Sequence, residues 1–173
     1  REETLKPFLR HTGPCLSPLN AWTLLKGLET ISLRVNEQSK STLEIAKFLK
    51  SHKKIEKLNY THLEHPQIDL AKQQQKTGGT VLSFLISGGK EQAFKFINNL
   101  KIFDISNNFG DAKSLAIHPA TTTHRVLEQE ERTAQGIKDN LVRLSIGLED
   151  VTDLVEDIDK ALNTVKEHSL NVY

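Results

Sequence analysis

The chain has 173 residues, the size of one ordinary domain. Its 23 Lys and Arg against 22 Asp and Glu leave a net charge of +1, which gives no broad attraction to nucleic acid or to an anionic membrane. No apolar run approaches the roughly 18–20 residues of a membrane span, and the single cysteine, Cys15, excludes an internal disulfide framework and fits a reducing compartment.

The chain starts at Arg1 and contains no methionine, which suggests an incomplete polypeptide, and the expected location without a charged-then-apolar leader is the cytoplasm. The first strong element opens at Ser17-Pro18, a good N-cap followed by a residue whose missing N–H costs nothing at the first helical position. Leu24, Leu25 and Leu28 recur at helical spacing, and Leu43, Ile45, Ala46, Phe48 and Leu49 form a second amphipathic run. Together they predict one long, bent helix from about Ser17 to Ser51.

Ile55–Tyr60 alternates as a short strand, and Gln67–Gln75 reads as a helix stopped by Gly78-Gly79. Thr80–Ile86 is the clearest strand: Leu82, Phe84 and Ile86 share one face, Val81 and Leu85 the other. Gly88-Gly89 ends it, and Ala93, Phe94, Ile97 and Leu100 predict a helix returning to the sheet. The two glycine pairs bracket a strand and lack the lysine of a phosphate loop, so they read as hairpin punctuation. Ile102–Ser106 and Ser114–His118 are further strand candidates. Leu141–Ile146 is a strand with Val142, Leu144 and Ile146 on one face and Arg143 and Ser145 on the other. The last helix starts near Asp150, with Val151, Leu154, Val155, Ile158 and Leu162 as its buried stripe and Glu149, Asp150 and Asp153 at its positive end. The fold class these elements predict is α/β: a two-layer α+β sandwich with an antiparallel or mixed sheet and helices on one side.

Seven histidines invite a metal reading, but His118 with His124 and His62 with His65 lack a third ligand at a known spacing. No metal site is expected. Cys15 has no flanking base, and no catalytic residue is assigned within the chain. Arg143 sits mid-strand opposite three aliphatics, so it projects into a cleft or into solvent. A guanidinium there can take a carboxylate through two parallel hydrogen bonds, though exposed strand faces commonly carry charge. Gly110–His124 packs hydroxyls, two histidines and a proline beside a strand end. Two readings stand: a site built from a loop, or a tight crossover whose threonines satisfy local backbone groups.

Four segments in order carry a resemblance: Ser17-Pro18-Leu19-Asn20-Ala21-Trp22, Leu25-Lys26-Gly27-Leu28-Glu29-Thr30, Ser114-Leu115-Ala116-Ile117-His118-Pro119-Ala120, and Leu141–Asp150. They resemble the C-terminal portion of the Cys/Met-metabolism pyridoxal-phosphate enzymes, which include cystathionine synthases and lyases, homoserine sulfhydrylases and methionine γ-lyase. Asn107–Ser114 is similar to the sulfhydrylase branch, with the O-succinylhomoserine enzymes first and the O-acetylhomoserine enzymes next. Tyr60-Thr61-His62-Leu63 departs from the family's usual Tyr-Pro-Gly-Leu.

The resemblance implies the small C-terminal domain of a fold-type I transferase over 31–173, with 1–30 as the end of the cofactor domain and the start of the linker helix. It implies pyridoxal phosphate as the cofactor of the full-length enzyme, which acts there as an electron sink. No cofactor-binding residue falls in this chain, since the family's Ser-x-Thr-Lys segment is absent from it. The implied partners are a small amino-acid substrate and, for the full-length protein, a homotetramer, with no nucleic acid and no membrane. Arg143 is implied to grip the substrate α-carboxylate with Ser114 beside it, while Lys113 reads as a solvent lysine. The rival reading is a stand-alone binding or assembly module that kept the domain and lost the chemistry.

Overall fold

A computed structural model describes residues 2–13, 15–63 and 65–166. They fall in two compact units, Arg1–Leu33 and Arg34–Tyr173. The first holds α1 (Glu2–Thr12) and α2 (Pro18–Glu29), neither of which buries a residue. Ser17 caps α2 as its sequence requires, its Oγ accepting from the Asn20 N–H at 3.2 Å. Helix α3 (Ile31–Ser51) begins after Thr30, so the expected single bent helix is two helices. Helix α1 was not expected, because Pro7 lies inside it. Its acidic first turn and basic last turn match the helix dipole.

The second unit is built on five strands: β1 (Ile55–Asn59), β2 (Val81–Ile86), β3 (Asp104–Ile105), β4 (Leu115–Ile117) and β5 (Leu141–Ser145). Their order in the sheet is β1-β2-β5-β4-β3. Only β3 and β4 pair in parallel, so the sheet is mixed. Strand β5 is central, with Leu144 between Leu82 and Ala116, and Arg143 between Ser83 and Ile117.

One face carries the core. Leu82, Phe84 and Ile86 lie beside Val142, Leu144 and Ile146 and join one apolar cluster with Ile45, Ala46 and Leu49 of α3. The same cluster takes in Ala93, Phe96 and Ile97 of α5 (Gly89–Asn99) and the Leu154, Ile158, Leu162 stripe of α7 (Val151–Thr164). Phe84 and Phe96 meet edge to face with centroids 5.6 Å apart, a favoured aromatic geometry. Asp150 caps α7, its Oδ1 accepting from the Thr152 N–H at 2.8 Å. Buried Asp157 on α7 accepts from the Lys101 and Ile102 N–H groups, both at 2.9 Å at closest, and so fixes the chain leaving α5.

The glycine pairs are not hairpin turns. Helix α4 (Ile68–Gln74) joins β1 to β2, and β2 runs directly into α5. Gly88, at φ 90, is the N-cap of α5 and Gly89, at φ 81, its first residue, conformations that cost a side-chain-bearing residue strain. Gly78 lies so close to the Tyr60 ring that a Cβ would collide with it. Two short elements, a 3₁₀ turn at Pro119–Thr121 and α6 (Gln129–Ala134), had no strong periodicity to announce them.

Tyr60 gives this packing a pH signature. Its ring is 3% exposed and its hydroxyl donates to the Gly79 carbonyl at 3.1 Å. Burial pushes the hydroxyl pKa up to about 12 from 10.0. The native state therefore keeps a proton that the unfolded chain has released, so Tyr60's contribution is intact below pH 10 and is lost as pH climbs toward 12. Tyr60→Phe should lower stability at pH 7 by about 1 kcal/mol, the worth of an ordinary hydrogen bond. Its deficit relative to the parent should shrink between pH 10 and 12. Parallel urea titration curves across that range would contradict the assignment.

Candidate functional site at the open face of the sheet

The face of β5 turned away from the core carries Leu141, Arg143 and Ser145. Register brings Ser83 of β2 beside Arg143, and Asn59 of β1 beside Ser83. With Val81, Pro119, His124 and Ile137 these residues line an open cleft of about 210 Å³ with Arg143 in its wall. The cleft is mostly apolar, with a few polar groups and one guanidinium, a composition suited to a small ligand.

Among the described residues Arg143 is held from the side of the 107–109 loop. Its Nη2 donates to the carbonyls of Asn107 at 3.0 Å and Asn108 at 3.1 Å. The Phe109 ring centre lies 5.8 Å from its Cζ, within cation–π range. Its Nε is buried and has no hydrogen-bond partner among the described residues. Burial pulls the guanidinium pKa down from its ordinary value, yet arginine stays charged in proteins. A buried charged donor without an acceptor is costly, and a ligand oxygen would remove that cost.

The loop that supplies those carbonyls stands on the end of β5. Ser145 Oγ accepts from the Gly110 N–H at 3.0 Å. Ser114 donates its N–H to Glu149 Oε1 and its hydroxyl to Glu149 Oε2, each at 2.8 Å, and its Oγ accepts from the Gly147 N–H at 2.8 Å. The Leu148 N–H reaches the Ala112 carbonyl at 2.8 Å, and Gln38 of α3 donates to the Asp111 carbonyl at 2.7 Å and the Ile146 carbonyl at 2.9 Å.

Arg143 projects from the strand face opposite Val142, Leu144 and Ile146, into the cleft rather than into bulk solvent. Ser114 does not stand beside it in the cleft. It is 0% exposed and its hydroxyl is committed to Glu149 and Gly147, so it holds the loop instead of facing a ligand. Lys113 is exposed, with Nζ 3.4 Å from Asp104 Oδ2. Of the three threonines in Gly110–His124 only Thr122 satisfies a backbone group; Thr121 and Thr123 pair with imidazole nitrogens. Pro119 and His124 line the cleft.

No group of three His, Cys, Asp or Glu among the described residues could hold a metal ion. Both ring nitrogens of buried His118 are already paired, with Thr121 Oγ1 and the Asp139 carbonyl, each at 2.8 Å. Cys15 is exposed. Sequence reading did not find Asn59, Ser83 or Ile137, which reach Arg143 only through strand pairing and the crossover. Glu149 was in view, but only as a helix-dipole residue.

The model of the Cys/Met metabolism PLP-dependent enzyme family matches residues 1–163. The chain belongs to that family. Relatives include O-succinylhomoserine sulfhydrylases from Mycobacterium tuberculosis, 49% identical over 92% of this chain and 40% of the relative, and from Pseudomonas aeruginosa, 45% identical over 90% and 39%. An O-acetyl-L-homoserine sulfhydrylase from Leptospira meyeri is 44% identical over 91% and 36%. The crystal structure described as an O-acetylhomoserine (thiol)-lyase from Campylobacter jejuni, which carries N'-pyridoxyl-lysine-5'-monophosphate, superposes with a TM-score of 0.84 at 39% identity. It is covered over 38% of its length by 90% of this chain.

This member of the Cys/Met-metabolism family thus spans about 40% of the length of the curated relatives it matches. Pyridoxal phosphate is the cofactor of the full-length family enzymes. The cleft described here does not itself fit that cofactor: no lysine lines it, and its one cation is already bound on one edge by carbonyls. The crossing behind the cleft is tight, because a Cβ on Gly147 would lie 2.5 Å from both the Ala112 carbonyl oxygen and the Lys113 carbonyl carbon. Gly147→Ala should therefore cost about 1–3 kcal/mol in urea denaturation, the usual range for overpacking against groups that cannot swing away. An unchanged midpoint would show that the crossing is looser than its geometry.

Proposed function

We propose that the chain is the C-terminal portion of a homoserine sulfhydrylase whose full-length form replaces the acyloxy group of O-succinylhomoserine with sulfide, releasing succinate and giving homocysteine. The identities to O-succinylhomoserine sulfhydrylases support the choice of acyl group. In this reading 31–173 is the small domain, 1–30 closes the cofactor domain, and the full-length protein works as a homotetramer. The observation that carries the site is Arg143 in the wall of the cleft, with its buried Nε lacking a hydrogen-bond partner among the described residues.

The chain's share of the chemistry is orientation. Arg143 binds the α-carboxylate of the amino-acid substrate, and fixing that group fixes the direction of the Cα–H bond relative to whatever base removes the proton. Asn59 and Ser83 present polar groups beside it, and the apolar wall of Val81, Pro119 and Ile137 limits water on the substrate's flank.

The 173-residue polypeptide alone is not an active enzyme in this reading, because the Ser-x-Thr-Lys segment is absent from it. Mixed with pyridoxal phosphate, desalted and treated with borohydride, it should show no stoichiometric label on one defined lysine. Such a label would overturn the reading.

In the holoenzyme that carries this chain, Arg143→Lys should weaken substrate binding nearly as much as Arg143→Ala, since an ammonium reproduces neither the carbonyl contacts nor the planar fork. A charge-assisted hydrogen bond is worth roughly 1.5–3 kcal/mol, or about ten- to a hundredfold in KM. The loss should shrink for a substrate whose carboxylate is replaced by a carboxamide. Normal kinetics in the lysine variant would return Arg143 to an ordinary strand residue.

A further inference from the structure

Alternate residues of one segment all reach the same loop. Arg143 takes the carbonyls of Asn107 and Asn108, and Ser145 takes the N–H of Gly110. Gly147 gives its N–H to Ser114, and Glu149 receives Ser114 twice. These bonds divide into two sets. The one at Gly110 and those at Ser114 anchor the loop, while those at Asn107 and Asn108 spend the loop's position on the guanidinium. Between the two sets the tip is exposed, and its other hydrogen bond, Asn108 N–H to Ser106 Oγ at 3.3 Å, is local. The tip's place is therefore inherited from its anchors. Of these, the Glu149 clamp is the one formed by an ionised acceptor, with both oxygens engaged at 2.8 Å by a residue that is 0% exposed.

We infer that Glu149 is a positioning residue for carboxylate recognition: it clamps Ser114, and the loop so fixed holds one side of the Arg143 guanidinium and leaves Nε to the ligand. The inference rests on Arg143 being the carboxylate site proposed above. Glu149 touches neither ligand nor Arg143, so its effect on binding passes entirely through the loop. Ser114, which family resemblance put beside the substrate, is the middle of this relay. Ser145 is a second anchor of the same loop, one step nearer to Arg143.

The test is a double-mutant cycle in the holoenzyme that carries this chain. Glu149→Gln keeps the side chain's size but sets an amide NH₂ where Ser114 offers donors. It should raise KM for the acylhomoserine about tenfold, change kcat much less, and leave KM for the carboxamide analogue unchanged. In an Arg143→Ala background the further change to Gln should add almost nothing, because coupled residues are non-additive. Amide hydrogen exchange over 107–110 should speed up in Glu149→Gln with no ligand present. Ser145→Ala should shift the same quantities in the same direction, and it serves where Glu149→Gln does not fold. If Arg143→Ala itself leaves KM for the acid normal, the carboxylate site falls and this inference falls with it. If Arg143→Ala weakens binding while Glu149→Gln and Ser145→Ala do not, or their effects add in full to that of Arg143→Ala, the positioning role alone is overturned.

Discussion

Everything at the open face depends on the two-residue period of β5. Its even positions, Val142 and Leu144, are 0% exposed in the core, and its odd positions carry the arginine and serine that meet the loop. A slip of one residue would drive Arg143 beneath three helices and turn the aliphatics into the cleft, a change no rearrangement of side chains could repair. The strand is protected against it because it is central. Leu82 and Ala116 grip Leu144 from opposite sides, so two ladders and an apolar layer would have to fail together.

The pattern does not stop where the strand does. Gly147 and Glu149 lie beyond Ser145, yet they keep the same partner segment, which converts a strand end into a platform for a loop. Gly147 is required by closeness rather than by an unusual backbone angle, since atoms of Ala112, Lys113 and Glu149 occupy the space of its missing Cβ. The motif Gly147-Leu148-Glu149-Asp150 thereby serves two ends at once. Glu149 turns back to Ser114, and Asp150 turns forward to cap α7. Adjacent carboxylates with opposite assignments are what fasten the loop to the helical layer.

Sequence alone disclosed those elements whose burial is one-sided and long enough to repeat. β2, β5 and α7 were legible because Leu82, Phe84 and Ile86, Val142, Leu144 and Ile146, and Leu154, Ile158 and Leu162 each sample one face several times. β3 and β4 fall inside the strand candidates Ile102–Ser106 and Ser114–His118, but at two and three residues they are too short for a period to fix their bounds. α6 is short and buries nothing, and in α1 the helical spacing of Leu5, Phe8 and Leu9 is interrupted by Pro7. Gly88-Gly89 was misread because the same residues serve turns and left-handed helix caps, and only the next element decides between them. The site was half visible. Arg143 stood out by its mid-strand place, and it was tied to a substrate, like Ser114, only through the family resemblance. Ser83 beside Arg143 and Glu149 on Ser114 are relations across sheet register and across 35 residues of chain, which local patterning does not encode.

The choice of acceptors around Arg143 also bears on how such a site works. A protein carboxylate against the guanidinium would hold it firmly, but it would neutralise the charge that the proposed substrate carboxylate is to meet, and that ligand would have to displace it. The Asn107 and Asn108 carbonyls supply hydrogen bonds with no net charge, so they orient the side chain and leave its positive field intact. The acid that does belong to this network, Glu149, spends both oxygens on Ser114. The full charge is thereby used one step away, where it stiffens the loop, and only dipoles touch the arginine. Separating the group that holds from the group that attracts leaves a half-buried cation fixed in place with its Nε still without an acceptor among the described residues, as the proposed carboxylate role requires.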